Sequence, residues 1–273
     1  MQALALTQSW PVPTVAAAVV LADGSVTTIG PTDHQFQLAS LSKLVMGWAT
    51  LVACEEGTIN LDQPVGQPEC TLRHLLAHAG GYPFDGQETI TTPGRRRIYS
   101  NTGIELAAEA VAHAAGMQFE LYQREAVLEP LGMRHTSLRG SPAHGLRSTV
   151  GDLLAFVHEL RAPTLLSAAT ATDFRTVQFP GLSGVVPGVG RYPDCPWGLG
   201  AEIRGNKQPH WTGMRNSPAT FGHFGGAGTL LCVDPGAQVA CLALTDRPFT
   251  EWSADALQLW PAFCDAVLQE VTA

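Results

Sequence analysis

Ser40 and Lys43, in the segment QLASLSK (residues 37–43), stand three residues apart at the head of a run of good helix formers, LSKLVMGWATLVACEE. Residues at that spacing share one helix face, so hydroxyl and amine come within hydrogen-bonding reach. At a helix N-terminus the dipole and free N–H groups favour negative charge on a reacting serine. A lysine one turn in, facing a semi-buried pocket, loses solvation, and its neutral amine can take the serine proton. The same pair also fits a plain N-cap and a surface lysine with a snorkelling stem. Average composition alone places about one S-x-x-K match in a chain of this size. Two further segments bear on the choice: Tyr99-Ser100-Asn101, just before a second helical run, and FGHFGGAGTLLCVD at 221–234, a glycine-rich turn or strand edge.

The elements that must position these residues follow from patterning. Residues 13–30 hold two apolar, β-branched runs around Asp23-Gly24, a hairpin signal. A helix is expected from Ser40, and a short one in TLRHLLAHAGG stopped by Gly80-Gly81. Others follow over 101–115 ending at Gly116, around FELYQREAVLEPLG, and in STVGDLLAFVHELRA with Ser148 or Thr149 as cap. Residues 177–196 read as a Gly/Pro-rich loop. Strands return in WGLGAEIRG, GTLLCVD and QVACLALTD, and a final amphipathic helix contains Pro261, a position for an irregularity or a second segment. Strands at both ends and helices between them predict an α+β fold. Its antiparallel sheet comes from N- and C-terminal segments flanked by helices, with an inserted, mostly helical subdomain. The corresponding division is 1–60 with 197–273 as the α/β subdomain and 61–196 as the helical one.

The chain has 273 residues, enough for a sizeable buried core, with 45% hydrophobic and 15% charged residues. A net charge of −8, with no basic run longer than Arg95-Arg96-Arg97, lacks the footprint of a nucleic-acid binder. The longest apolar run, VPTVAAAVVLA, is about half a bilayer span and follows no basic residue, so neither a membrane partner nor export is expected and the location is read as cytoplasmic. Six cysteines without C-x-x-C spacing suit buried, reduced thiols. His74 and His78 have the i, i+4 spacing of zinc ligands but lack the glutamate between them, and packing is the better account. Arg95 to Arg97 read as a solvated strand edge. The tryptophans read mostly as core, with Trp211 and Phe221 placed to line an acyl pocket.

S-x-x-K, then Y-S-N, then H-F-G in that order resemble the penicillin-recognising serine hydrolases, the serine β-lactamase-like and penicillin-binding-protein-like family. GTINLDQPV, TLRHLLAHAGG, RIYSNTGIELAAEAV, PLGMRHTSL, LRSTVGDLLAFV and WGLG extend the likeness over most of the chain. The nearest branch holds class C β-lactamases, D-alanyl-D-alanine peptidases and family VIII-type, β-lactamase-like esterases. The resemblance implies an active site between the subdomains, with Ser40 as nucleophile and Lys43 and Tyr99 as one coupled proton relay. It further implies Asn101 on Lys43 and on an acyl-side carbonyl, and His223 orienting the tyrosine or binding an anion as its charge varies near neutral pH. Gly225 and Gly226 would let substrate approach the strand, with the N–H groups of Gly226 and Ser40 as oxyanion hole. No metal or cofactor is implied.

Phe224 departs from the family pattern, which often has Thr or Ser there to hold a substrate carboxylate. Losing that donor and gaining an aromatic face tilts the expected substrate toward a neutral or apolar ester or amide. The chain is also shorter than typical class C enzymes. The reading is therefore a serine hydrolase of small-molecule esters, amides or β-lactam-like compounds, most like the esterases. A β-lactamase or D-alanyl-D-alanine carboxypeptidase is the neighbouring alternative, and a catalytically silent binding module on the same fold is the rival of another class. The sequence does not bear on oligomeric state.

Overall fold

The apolar runs around Asp23-Gly24 form a hairpin of β1 (Val15–Val20) and β2 (Val26–Ile29) in the computed structural model, which describes residues 1–272. Then come β3 (Phe36–Gln37), α1 (Ser42–Glu55), α2 (Leu72–Leu76), β4 (Arg97–Ile98), α3 (Asn101–Ala115) and α4 (Phe119–Gln123). The middle of the chain adds β5 (Ser137–Leu138), β6 (Leu146–Ser148), α5 (Val150–Arg161), α6 (Ala168–Phe174), β7 (Gly184–Val186) and β8 (Gly190–Tyr192). It closes with β9 (Glu202–Ile203), β10 (Phe221–Gly225), β11 (Thr229–Asp234), β12 (Val239–Thr245) and α7 (Ser253–Thr272).

The expected α+β fold is present. An antiparallel sheet runs β2-β1-β12-β11-β10-β9, and Val15 opposite Thr245 joins the two ends of the chain. Alternate residues of β1 and β12 feed two cores. Ala16, Ala18, Val20 and Leu242 meet Trp48 and Phe156 on one face, while Ala17, Val19 and Ala243 meet Trp260 and Phe263 on the other. Burial on both faces is why these strands read as continuous apolar runs rather than alternating ones. Among the described residues no helix is long and apolar enough to cross a membrane.

The structure departs from the sequence reading at several elements. Residues 39–41 form a 3-10 turn and the α-helix proper starts at Ser42. α2 stops at Leu76, short of Gly80-Gly81, after a Thr71 cap. The 177–196 segment holds the β7–β8 hairpin, with β7 paired in parallel to β4. α7 runs through Pro261 unbroken, held by the buried Trp260, Phe263 and Val267 around it. α5, within the 61–196 span, packs on β1, β11 and β12 of the large sheet. α3 ends at left-handed Gly116 and α5 is capped by Thr149, as the sequence predicts. All six cysteines are free, and the sulfurs of Cys232 on β11, Cys241 on β12 and Cys264 on α7 lie within 4.8 Å of one another.

Candidate active site

Ser40 sits in the 3-10 turn rather than in α1, and a three-residue turn still stacks it on Lys43. The residue before it, Ala39, has φ 47°, a left-handed conformation that a non-glycine residue keeps only when its surroundings hold it there. Those surroundings are visible. The Ser42 hydroxyl donates to Ala39 O at 2.6 Å and accepts from the Leu146 N–H at 3.0 Å. Across the turn the Thr229 hydroxyl donates to Leu38 O at 2.9 Å.

Lys43 is fully buried, and its ammonium donates to Asn101 Oδ1 at 2.8 Å, Ala143 O at 2.9 Å and Ser40 Oγ at 3.3 Å. Three acceptors match its three protons. Burial pulls the amine down from 10.5 to about 7, with the charges of Glu105 and Asp85 resisting. Asn101 is free for this contact because Ser100, not Asn101, caps α3 by accepting the Gly103 N–H at 2.9 Å. The amide of Asn101 in turn donates to Asp85 Oδ1 at 3.1 Å, and its backbone N–H to Phe84 O at 2.8 Å.

Tyr99 is buried with its ring 4.7 Å from Lys43 Nζ. Desolvation raises its phenol well above the ordinary value of ten, against a hydrogen-bonding contribution from Ser40. Around it lie His78 at 4.6 Å, His223 at 5.6 Å and Trp197 at 5.8 Å between ring centroids. His223 is buried with Nδ1 2.5 Å from Phe224 O, and burial together with the Lys43 charge brings it to about 4. The imidazole is neutral at neutral pH, so the expected variation of its charge in that range does not occur.

The two glycines divide the work differently from the sequence reading. A Cβ on Gly225 would lie 2.3 Å from both Leu38 O and Thr229 Oγ1, so this glycine admits the nucleophile turn rather than a substrate. Gly226, just past β10, has nothing within 4 Å of such a Cβ and faces open space. Phe224 does not present its face to a ligand. Its ring packs among Trp211, Phe249 and Trp260, and what the site retains from this position is the missing hydroxyl. Trp211 and Phe221 do not line an acyl pocket either: Trp211 donates to Glu202 at 2.7 Å, and Phe221 packs on Phe174.

Residues outside the motifs also shape the site. His78, at φ 55°, accepts the Ser100 N–H on Nδ1 at 3.1 Å and so pins the Tyr-Ser-Asn segment. His74 lies in the Thr71 cap of α2 and stacks on Phe179, so the two histidines serve separate partners. Arg97 is not part of a solvated edge. It is buried and donates to the carbonyls of Ala77, Gln178, Phe179 and Cys195, and desolvation lowers it to about 10. Behind the aromatic cluster, Lys207 meets Glu202 at 2.7 Å. Although burial raises Glu202, the charges of Lys207 and His210 outweigh it and hold the carboxyl well below its usual range. Of these, His78 lay in a segment shared with the family, whereas Asp85, Ala143 and Glu202 act through contacts over long sequence separation that no local pattern signals.

Two cavities are lined by residues of this group or next to it. One of about 600 Å³ opens beside Tyr99, and one of about 490 Å³ is lined by Ala39 and Gly226. A larger one, about 650 Å³, lies at Asp23, Arg161 and Asp234 and touches none of these residues. A serine on a strained turn, an amine with lowered basicity and a glycine-edged strand, set against an antiparallel sheet, define a β-lactamase/transpeptidase-like fold. The chain belongs to the Beta-lactamase family, a family of hydrolases, whose model matches residues 5–260. A solved β-lactamase from Mycobacterium bovis is 48% identical, with 99% of this chain and 100% of that one covered and a TM-score of 0.96. A β-lactamase from Yersinia enterocolitica is 27% identical over 186 residues, 49% of this chain and 48% of that protein. A D-alanyl-D-alanine carboxypeptidase/endopeptidase from Escherichia coli strain K12 is 24% identical over 158 residues, 44% of this chain and 41% of that protein. The match to these two curated relatives thus spans about half of their length or less.

Proposed function

We propose that the protein is a serine hydrolase that acts on an ester or amide through an acyl-enzyme on Ser40. The observation that carries this is the Lys43 amine: buried, 3.3 Å from Ser40 Oγ and lowered to about 7, it is half neutral at neutral pH. Ser40 Oγ attacks the carbonyl carbon, and its proton passes to Lys43. The N–H groups of Ser40 and Gly226 receive the developing oxyanion. Tyr99, whose phenol burial keeps protonated, passes the proton on to the leaving group, and water then releases the acid by the reverse path. Lys43, rather than a Tyr99 phenolate, is the base in this reading. Asn101, tied to Lys43 and to the Phe84–Asp85 turn, fixes the amine and meets the acyl-side carbonyl.

The substrate is most like those of β-lactamase-like esterases. Phe224 offers no hydroxyl beside the scissile bond, and neutral His223 offers no cation there, so a carboxylate next to the reacting carbonyl has no dedicated partner. The 48% identity to the M. bovis β-lactamase favours a second reading, β-lactam hydrolysis. Turnover of short-chain p-nitrophenyl esters beside a chromogenic cephalosporin separates the two, with Ser40→Ala as control and intact mass to detect an adduct. Ser40-dependent ester hydrolysis without cephalosporin cleavage supports the esterase. Rapid cephalosporin cleavage supports the lactamase. Silence on both with no adduct at Ser40 leaves a binding module.

A further inference from the structure

The cavity beside Tyr99 has a composition that the catalytic motifs do not account for. Its floor is the small sheet of β4, β7 and β8, in which Ile98 stands opposite Val185 and Val185 opposite Arg191. Side chains alternate across a sheet, so this row shares one face, while the neighbouring row of Arg97, Gly184 and Tyr192 turns the other way, with Arg97 and Tyr192 buried. Phe84 and Ile90 complete the apolar shelf. Phe84, Ile90 and Val185 are 48%, 51% and 40% exposed, among the few large apolar side chains that face solvent. The shelf is fixed to the catalytic residues. Phe84 lies 5.7 Å from the Tyr99 ring, and its carbonyl accepts the Asn101 N–H.

Two guanidinium groups, Arg96 and Arg191, line the same cavity. Among the described residues neither has a salt bridge or a side-chain hydrogen bond, in a chain of net charge −8. A cavity of about 600 Å³ is of the size that takes a small molecule. Apolar walls ending in two unpaired cations suit a chain that is apolar along its length and anionic at its end.

Resting on the serine-hydrolase reading, we propose that this shelf is the acyl subsite and that it selects acyl chains bearing a carboxylate at the end remote from the scissile carbonyl. Phe84, Ile90, Ile98 and Val185 hold the methylene chain, and Arg96 and Arg191 hold the terminal anion. The absence of an anion partner at Phe224 and His223 agrees with this placement, because the charge sits away from the reacting carbonyl.

The test uses Ser40→Ala protein, which holds esters without turnover, and calorimetric titration with monomethyl esters of dicarboxylic acids from succinate to suberate. Methyl esters of the corresponding monocarboxylic acids are the comparison. At the chain length that reaches the arginines, the carboxylated ester binds about tenfold more tightly. That preference falls as salt is raised and vanishes in Arg96→Ala/Arg191→Ala, whose exposed positions leave the fold undisturbed. Equal binding at every length overturns the proposal. So does a preference that survives the double substitution, or one that disappears instead with Arg147→Ala in the cavity on the Gly226 side. Turnover is scored separately with unsubstituted enzyme. No hydrolysis of either series and no adduct at Ser40 refute the hydrolase reading, whatever the binding preference.

Discussion

The acid limb of the pH–rate profile is the sharpest consequence of the buried amine. With Lys43 at about 7, half of the base is available at pH 7, about one-tenth at pH 6 and about one-hundredth at pH 5. A lysine left at 10.5 would be neutral in only about one molecule in three thousand at pH 7, so burial raises the supply of base roughly a thousandfold. The assay is kcat/KM for a p-nitrophenyl ester from pH 5 to 9 at constant ionic strength. The expected curve rises tenfold per pH unit up to about 7 and then levels. His223, at about 4, contributes nothing to this limb, and Tyr99 titrates above the range. Glu105→Gln supplies the perturbation. Its carboxylate helps keep Lys43 charged and accepts the Ser141 hydroxyl, a contact that glutamine retains, so the limb moves to lower pH. A rate that keeps climbing tenfold per unit through pH 9 would refute the assignment, because the base would then have to be a group of much higher pKa. A limb unmoved by Glu105→Gln would assign it to a group other than Lys43.

Further outcomes follow from neighbouring contacts. Gly225→Ala places a methyl 2.3 Å from Leu38 O and Thr229 Oγ1, which costs about 1–3 kcal/mol in urea unfolding and lowers kcat by displacing the Ser40 turn; Gly226→Ala meets nothing and stays within about 0.5 kcal/mol. Arg97→Met strands buried carbonyls at Ala77, Gln178, Phe179 and Cys195 and is expected to lose more than about 3 kcal/mol by the same measurement. The depressed Lys43 also links stability to pH: between about 7 and 10.5 the unfolded chain carries the proton and the folded one does not, so stability rises with pH. That rise amounts to about 2 kcal/mol from pH 7 to 9 for this group alone, and unfolding of Lys43→Met across the range should show it removed.

What the sequence discloses, and what it withholds, follows from the range of the interactions. Ser40 with Lys43, Ser100 with Gly103 and Gly116 at the end of α3 are local, and spacing or residue type reveals them. The sheet is non-local but legible, since strands buried on both faces leave continuous apolar runs at the two ends of the chain. The Lys43 amine is held by acceptors 58 and 100 residues away, at Asn101 and Ala143, and the second is a backbone carbonyl whose side chain says nothing of the role. Arg97 escapes for a related reason. A third arginine in a row reads as surface, and only the strand alternation that turns it inward while Arg96 stays outside reveals four carbonyls waiting for it. Gly225 and Phe224 show a subtler gap: the positions were legible but not the directions. A motif written along a strand does not say which atoms face the ligand and which face the protein. At Gly225 the neighbour to be admitted is the chain's own backbone at Leu38. Substrate selection on this scaffold is therefore better sought in side chains off the motifs, on the shelf that β4, β7 and β8 present to Tyr99.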